Sequence, residues 1–99
     1  MKLWIDDIRT PPEGYFWCKT VNKARMVIEE AEAMKIQIEL IDTDHDAGEF
    51  VNEGGDYIEL LNWLERTGRN YPVRIHSMNP VGVQNMRAII QHNGWREVR

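Results

Sequence analysis

Aspartates and histidines in this sequence gather at the ends of apolar runs, where groups able to bind cations and move protons can meet. Leu3-Trp4-Ile5 runs into Asp6-Asp7, Ile38 to Ile41 into Asp42-Thr43-Asp44-His45-Asp46, and Val73-Arg74-Ile75 into His76-Ser77. Five of the six aspartates and two of the three histidines stand at those run ends. Imidazole titrates near neutrality and is the natural proton-transfer group. Close carboxylates repel one another unless a cation neutralises them, and an oxygen-rich site of a few carboxylates suits Mg²⁺ or Mn²⁺. The residue types predict a divalent-metal site of Asp6, Asp7 and Asp44, with His45, His76 and Asp46 for proton transfer. The plainer alternative has Asp6 and Asp46 capping loops or helix ends and the remaining carboxylates solvated. His92, near a predicted helix C-terminus, is most simply a favourable partner of the helix dipole.

Groups suited to phosphate accompany the acids. The segment His76-Ser77-Met78-Asn79-Pro80-Val81-Gly82 joins a strand end to a capped helix start, with Asn79 as N-cap and Pro80 at the first helical position. Free N–H groups at such a terminus form an anion site, and Ser77 adds a hydroxyl donor. Gly82 leaves room for a ligand or loop against the first turn. Arg9 is placed for a bidentate phosphate contact, or else is a surface residue bridging Asp7. Arg9, Ser77, Asn79 and Gly82 form the predicted phosphate-binding set, with Asn85, one turn further on, a weaker candidate.

For the run ends to meet, the runs must be neighbouring parallel strands whose C-terminal ends share one edge, where open α/β sheets bind ligands. Residues 2–6 predict a first strand and Tyr15 to Lys19 a second, separated by the turn-forming Thr10-Pro11-Pro12-Glu13-Gly14. Thr20 caps a predicted helix from Val21 to about Lys35, with Val21, Ala24, Val27, Ile28 and Ala31 as its apolar stripe. Ile36 to Asp42 is the third strand. Thr43 to Gly55 has no usable periodicity and is loop. Asp56 followed by Glu59 has capping-box spacing, so a second helix starts there, runs to about Thr67 and stops at Gly68. Val73 to His76 is the fourth strand, the helix from Pro80 ends at about His92 before Gly94, and Trp95 to Val98 is the last strand.

The order β-β-α-β-α-β-α-β implies mostly parallel pairing with right-handed crossovers. One domain spanning 1–99 is predicted: an α/β, flavodoxin-like three-layer sandwich with a five-stranded sheet in the order 2-1-3-4-5. It lacks the first crossover helix, for which too few residues are available, and the C-terminal helix. In that order, strands about 4.8 Å apart bring the aspartates and His76 within reach of one another.

Composition narrows the class. A hydrophobic share of 42% and a charged share of 28% describe a folded globular chain rather than a disordered one. The net charge of −4 argues against broad coating of nucleic acid, while a small phosphorylated ligand remains compatible through a bridging cation. No apolar stretch approaches the roughly 18 residues of a membrane span, and the N-terminus lacks the pattern of a signal peptide. A single cysteine, Cys18, rules out an internal disulfide framework and suits a reducing cytoplasm, with the thiol buried in a strand.

Taken together, Asp6-Asp7-Ile8-Arg9-Thr10-Pro11, Asp44-His45-Asp46-Ala47-Gly48, Gly55-Asp56-Tyr57, His76-Ser77-Met78-Asn79-Pro80-Val81-Gly82 and Asn85-Met86 resemble the cyclic-phosphate processing receiver-like domain. The resemblance covers nearly the whole chain. The acid pair alone is shared with ordinary receiver domains, whereas the Asp-His-Asp and His-Ser-x-Asn-Pro-x-Gly segments mark this family. It implies a trimmed response-regulator receiver fold acting on cyclic phosphate groups of nucleotides or RNA ends. Asp6, Asp7 and Asp44 match the receiver acid pocket; His45, Asp46, His76 and Ser77 match the family's additions. Ala47 departs from the family's usual leucine, a difference of packing.

Two functions follow. The first is a metal-dependent phosphoesterase opening a cyclic phosphodiester, its substrate a small phosphorylated ligand or an RNA terminus. The second is a non-catalytic module, either a phospho-signalling receiver that accepts a phosphoryl group on Asp44 or a nucleotide-binding domain. A receiver holds its acyl phosphate with a lysine late in the chain, and Lys2, Lys19, Lys23 and Lys35 are the only lysines here. Arginine does not reproduce a lysine ammonium.

Overall fold

The computed structural model describes residues 1–99. Strands β1 (Lys2–Ile5), β2 (Tyr15–Cys18), β3 (Leu40–Thr43), β4 (Val73–Ile75) and β5 (Glu97–Val98) alternate after β2 with helices α1 (Val21–Ala33), α2 (Ile58–Arg66) and α3 (Pro80–Asn93). The sheet order is β2-β1-β3-β4-β5, with every neighbouring pair parallel. The predicted α/β class and strand order are both found.

The layering is simpler than predicted. Each crossover that carries a helix, β2 to β3, β3 to β4 and β4 to β5, steps in the same direction across the sheet. Right-handed crossovers in one direction place their helices on one face. Leu3, Ile5, Ile41 and Val73 accordingly share a single buried cluster with residues of all three helices, such as Ile28, Leu61 and Met86. No helix of residues 1–99 covers the other face, so these residues form two layers where three were predicted.

That other face is closed by the chain's own large side chains. Trp4, Asp42 and Arg74 lie in register across β1, β3 and β4, with the opposite alternation to the core residues. Trp4 is 7% exposed although no helix covers it. Its indole N–H donates to the Arg9 carbonyl at 2.8 Å, and that of Trp17 to the Asp6 carbonyl at 2.8 Å, so the β1–β2 connection folds over this side.

Local signals place the helices well. The Thr20 side chain accepts from the Lys23 N–H, Asn79 caps α3 with Pro80 following it, and Gly94 ends α3 in the left-handed conformation at φ 66°. Strand β3 is shorter than predicted. Lys35 takes φ 58° after α1, and residues 36–39 carry the chain back to the sheet, with Ile38 still buried. Helix α2 begins one residue later than the capping-box spacing predicts. The Asp56 carboxylate caps nothing; it accepts instead from the Ala47 N–H at 2.9 Å and ties down the acidic loop. Between helices, Arg69 stacks on Trp63 at 4.2 Å and binds Glu32 through two nitrogens, which, with the Tyr71 hydroxyl, holds the Glu32 carboxyl below the usual range. Burial pushes the Cys18 thiol up to about 12. No helix is long and apolar enough to cross a membrane.

Candidate functional site

The register of the sheet sets the site. Ile5, Thr43 and Ile75 are mutual partners, so the residues after them, Asp6, Asp44 and His76, emerge at one level. Further bonds extend the ladder past the strand ends: Asp44 N–H to the Ile5 carbonyl at 2.8 Å and His76 N–H to the Thr43 carbonyl at 2.9 Å. Carboxylate oxygens of Asp6, Asp7 and Asp44 consequently lie within 4.8 Å of one another. This is the trio singled out from the sequence. It forms an open rim, and the chain's one sizeable hollow, about 550 Å³, lies elsewhere, along the outer side of α1 by Asn22, Met26 and Glu29.

The three acids differ in what holds them. Asp6 is buried and accepts three bonds: Ile8 and Arg9 N–H groups at 2.9 Å on Oδ1 and the His76 Nε2 at 2.8 Å on Oδ2. Burial alone would raise its pKa, but these donors outweigh it and the carboxyl is held low. The plainer reading is thus half right: Asp6 does cap a loop, while also facing the rim. Asp44 accepts from the His45 N–H at 2.7 Å. Asp7 has no cationic partner, and its pKa is raised by burial first and then by the charges of Asp6 and Asp44. Gly48, at φ 58°, lets the following loop lie against the Asp7 carboxylate, into which any Cβ would run. The donor set fits a hard divalent cation: three oxygens converge, and Asp7 and Asp44 lack a neutralising side chain.

The two site histidines have different surroundings. His45 Nδ1 lies 2.9 Å from Asp46 Oδ1, and Asn79 Nδ2 reaches the other Asp46 oxygen at 3.4 Å. No hydrogen bond reaches His45 Nε2, and every sealed side-chain N or O in the chain has a partner, so this nitrogen opens to solvent. Asp46 therefore orients His45 rather than capping a loop.

His76 is fully engaged. Its Nε2 meets Asp6, its Nδ1 lies 2.7 Å from Asp42 Oδ1, and its ring stacks on Trp4 with centroids 3.9 Å apart and planes within 5°. Both nitrogens of His76 are thus held by carboxylates, whereas His45 keeps one nitrogen open. Asp42, fully buried and also bound by Arg74 Nη1 at 3.1 Å, was absent from the predicted site, as was Trp4. Strand alternation carried the signal, since Asp42 is two residues before Asp44 and Arg74 two before His76.

The phosphate set is reduced. Asn79 accepts from Gly82 N–H at 3.0 Å and its carbonyl from Val83 N–H at 2.9 Å, while Pro80 has no N–H. In the first turn of α3, only the Val81 N–H lacks a partner, so the terminus is a smaller anion site than predicted. Ser77 Oγ accepts from Asn79 N–H at 3.1 Å. Arg9 does not bridge Asp7; its Nη1 donates to the His76 carbonyl at 3.0 Å, leaving its other N–H groups available. Gly82 makes room not for a ligand but for the His45 ring. Asn85 is exposed and makes no side-chain bond at the site, and His92 occupies the last turn of α3 as predicted.

No curated protein and no solved structure matches this chain. A family profile does, over residues 1–92, and that span takes in the acid rim, both histidines and the capped start of α3. The chain therefore belongs to the cyclic-phosphate processing receiver domain family.

Proposed function

We propose that this domain is a metal-dependent phosphoesterase that opens cyclic phosphodiesters such as a 2′,3′-cyclic phosphate on a nucleotide or RNA end. The observation that carries this reading is the pairing of the three-carboxylate rim with a histidine whose one nitrogen is held by a carboxylate and whose other is free. Asp7 and Asp44, with the remaining lone pair of Asp6, would hold Mg²⁺ or Mn²⁺. Such an ion polarises the phosphoryl oxygen and offsets its developing charge.

The chain's own groups do the rest. His45 Nε2 takes the proton of the attacking water as its oxygen bonds to phosphorus. The same imidazole then gives that proton to the ring oxygen whose bond to phosphorus breaks, so one water is consumed and a phosphomonoester formed. Asp46 at Nδ1 fixes the tautomer that leaves Nε2 able to accept. The free N–H groups of Arg9, the Ser77 hydroxyl and the Val81 N–H are the donors offered to non-bridging oxygens. General acid–base help of this kind contributes roughly 10²–10⁴-fold.

The competing phospho-receiver reading needs a cation free to hold an acyl phosphate on Asp44. No lysine lies in the C-terminal half, and His76 is bound on both nitrogens. The test is to incubate the protein with 2′,3′-cyclic nucleotides, with and without Mn²⁺, alongside acetyl-phosphate labelling followed by mass spectrometry. Mn²⁺-dependent monoester formation that is lost in His45→Ala supports the esterase. A covalent mass increase lost in Asp44→Asn, with no turnover, overturns it in favour of the receiver.

A further inference from the structure

We propose that Asp42 is a positioning residue for the cation site, acting through His76 on Asp6. The proposal rests on the cation reading of the rim. Asp42 is 0% exposed, sits two strand residues short of the site level and touches neither Asp7 nor Asp44 through any hydrogen bond. A buried carboxylate is retained at a cost unless its partners satisfy it, and here the partners are Arg74 and His76.

The geometry runs as a chain from Asp42 to the rim. Asp42 Oδ1 meets His76 Nδ1 at 2.7 Å, and His76 Nε2 meets Asp6 Oδ2 at 2.8 Å. Trp4, stacked on the imidazole, restrains the ring plane, while the bond to Asp42 fixes the ring's position within that plane. An ionised carboxylate offers about four lone-pair sites. Asp6 uses three of them, on Ile8, Arg9 and His76, and His76 thereby decides where the last one, on Oδ2, points. Removing the acceptor at Asp42 frees the ring to slide within its plane, and with it the last ligand direction of Asp6. Outer partners that orient metal ligands typically control about 10–100-fold in affinity.

The experiment is Mn²⁺ titration of the metal-free protein, read by the electron paramagnetic resonance of unbound Mn²⁺, on variants whose cooperative melting shows them folded. Asp42→Leu, which keeps the branched shape and removes the acceptor, is expected to weaken binding by about 10–100-fold. Asp42→Asn retains an oxygen that can accept from Nδ1 and is expected to keep most of the affinity. In a His76→Ala background, Asp42→Leu is expected to add nothing, because the connection is already cut. Unchanged affinity in Asp42→Leu, or the same loss with and without His76, overturns the proposal. The second result would mean that Asp42 acts by long-range charge alone. Absence of Mn²⁺ binding by the unaltered protein overturns the cation reading and this proposal together, whereas binding that ignores Asp42 overturns only the latter. Should Asp42→Leu not fold, nitrogen NMR of the unaltered protein decides: Mg²⁺ is expected to shift the His76 ring resonances, and no shift overturns the proposal.

Discussion

The His45 imidazole occupies the space that a side chain at position 82 would need. A Cβ built on Gly82 falls 2.5 Å from His45 Cγ and 2.6 Å from Cδ2, well inside contact distance. Gly82 is buried in the first turn of α3, and its N–H is bound by Asn79, which also reaches Asp46. The glycine, the cap and the His45–Asp46 pair are therefore one assembly, in which α3 serves as the seat of the imidazole.

Gly82→Ala tests that seat. Alanine favours helix by up to about 1 kcal/mol over glycine, so the backbone gains while the ring is displaced. The expected result is a fall in cyclic-phosphate turnover of about 10²-fold, as for a misplacement near 1 Å, with little loss of thermal stability. Steady-state kinetics beside a melting curve separates the two effects. Turnover equal to the unaltered protein would remove His45 from the chemistry.

Cation binding should be visible as stability. Burial and the neighbouring charges of Asp6 and Asp44 raise the Asp7 pKa, so in the metal-free protein this carboxylate resists ionisation. Its contribution to stability is present at low pH and is lost as pH rises through its folded value, because the ionised trio repels itself. A cation reverses this repulsion. At a hundredfold excess over its dissociation constant, Mn²⁺ should add about 2.7 kcal/mol. For a domain this size each kcal/mol moves Tm by roughly 4–8 °C. Cation and proton compete for Asp7, so the Tm gain should shrink as pH falls toward the acid range, and chelation should abolish it. Scanning calorimetry at several pH values reads all three.

The two histidines should fail in opposite ways. His76→Ala leaves Asp42 Oδ1 and Asp6 Oδ2, both buried, without their partner, and should destabilise the fold by about 3–5 kcal/mol in urea unfolding. His45→Ala removes a partly exposed ring whose only bonded nitrogen faces exposed Asp46, and should leave stability nearly unchanged while turnover collapses. Equal stability losses would contradict the division of roles drawn here.

Much of this architecture was legible in the sequence because its signals are local. Thr20, Asn79-Pro80 and Gly94 mark helix ends by side-chain chemistry alone, and the apolar runs before Asp6, Asp44 and His76 give the strands that align them. The sequence is silent where a residue's partner is remote. Asp56 has capping-box spacing, yet its carboxylate is drawn to Ala47 across the loop. His76 resembles a free acid–base group until Asp42 and Asp6, 34 and 70 residues away, are seen on its two nitrogens. The placement of all three helices on one face was implicit in the strand order, because crossovers stepping in one direction share a face. Trp4 then fills the uncovered side, against which His76 stacks.

The most direct measurement is crystallographic: crystals of the unaltered protein soaked in Mn²⁺, with anomalous scattering recorded at the manganese edge. The account predicts a peak between the carboxylates of Asp7 and Asp44, about 2.1–2.6 Å from oxygen ligands, with Asp6 Oδ2 facing it and His45 Nε2 unmetallated. A peak at any other site with this rim empty, or no peak at saturating Mn²⁺, would contradict it.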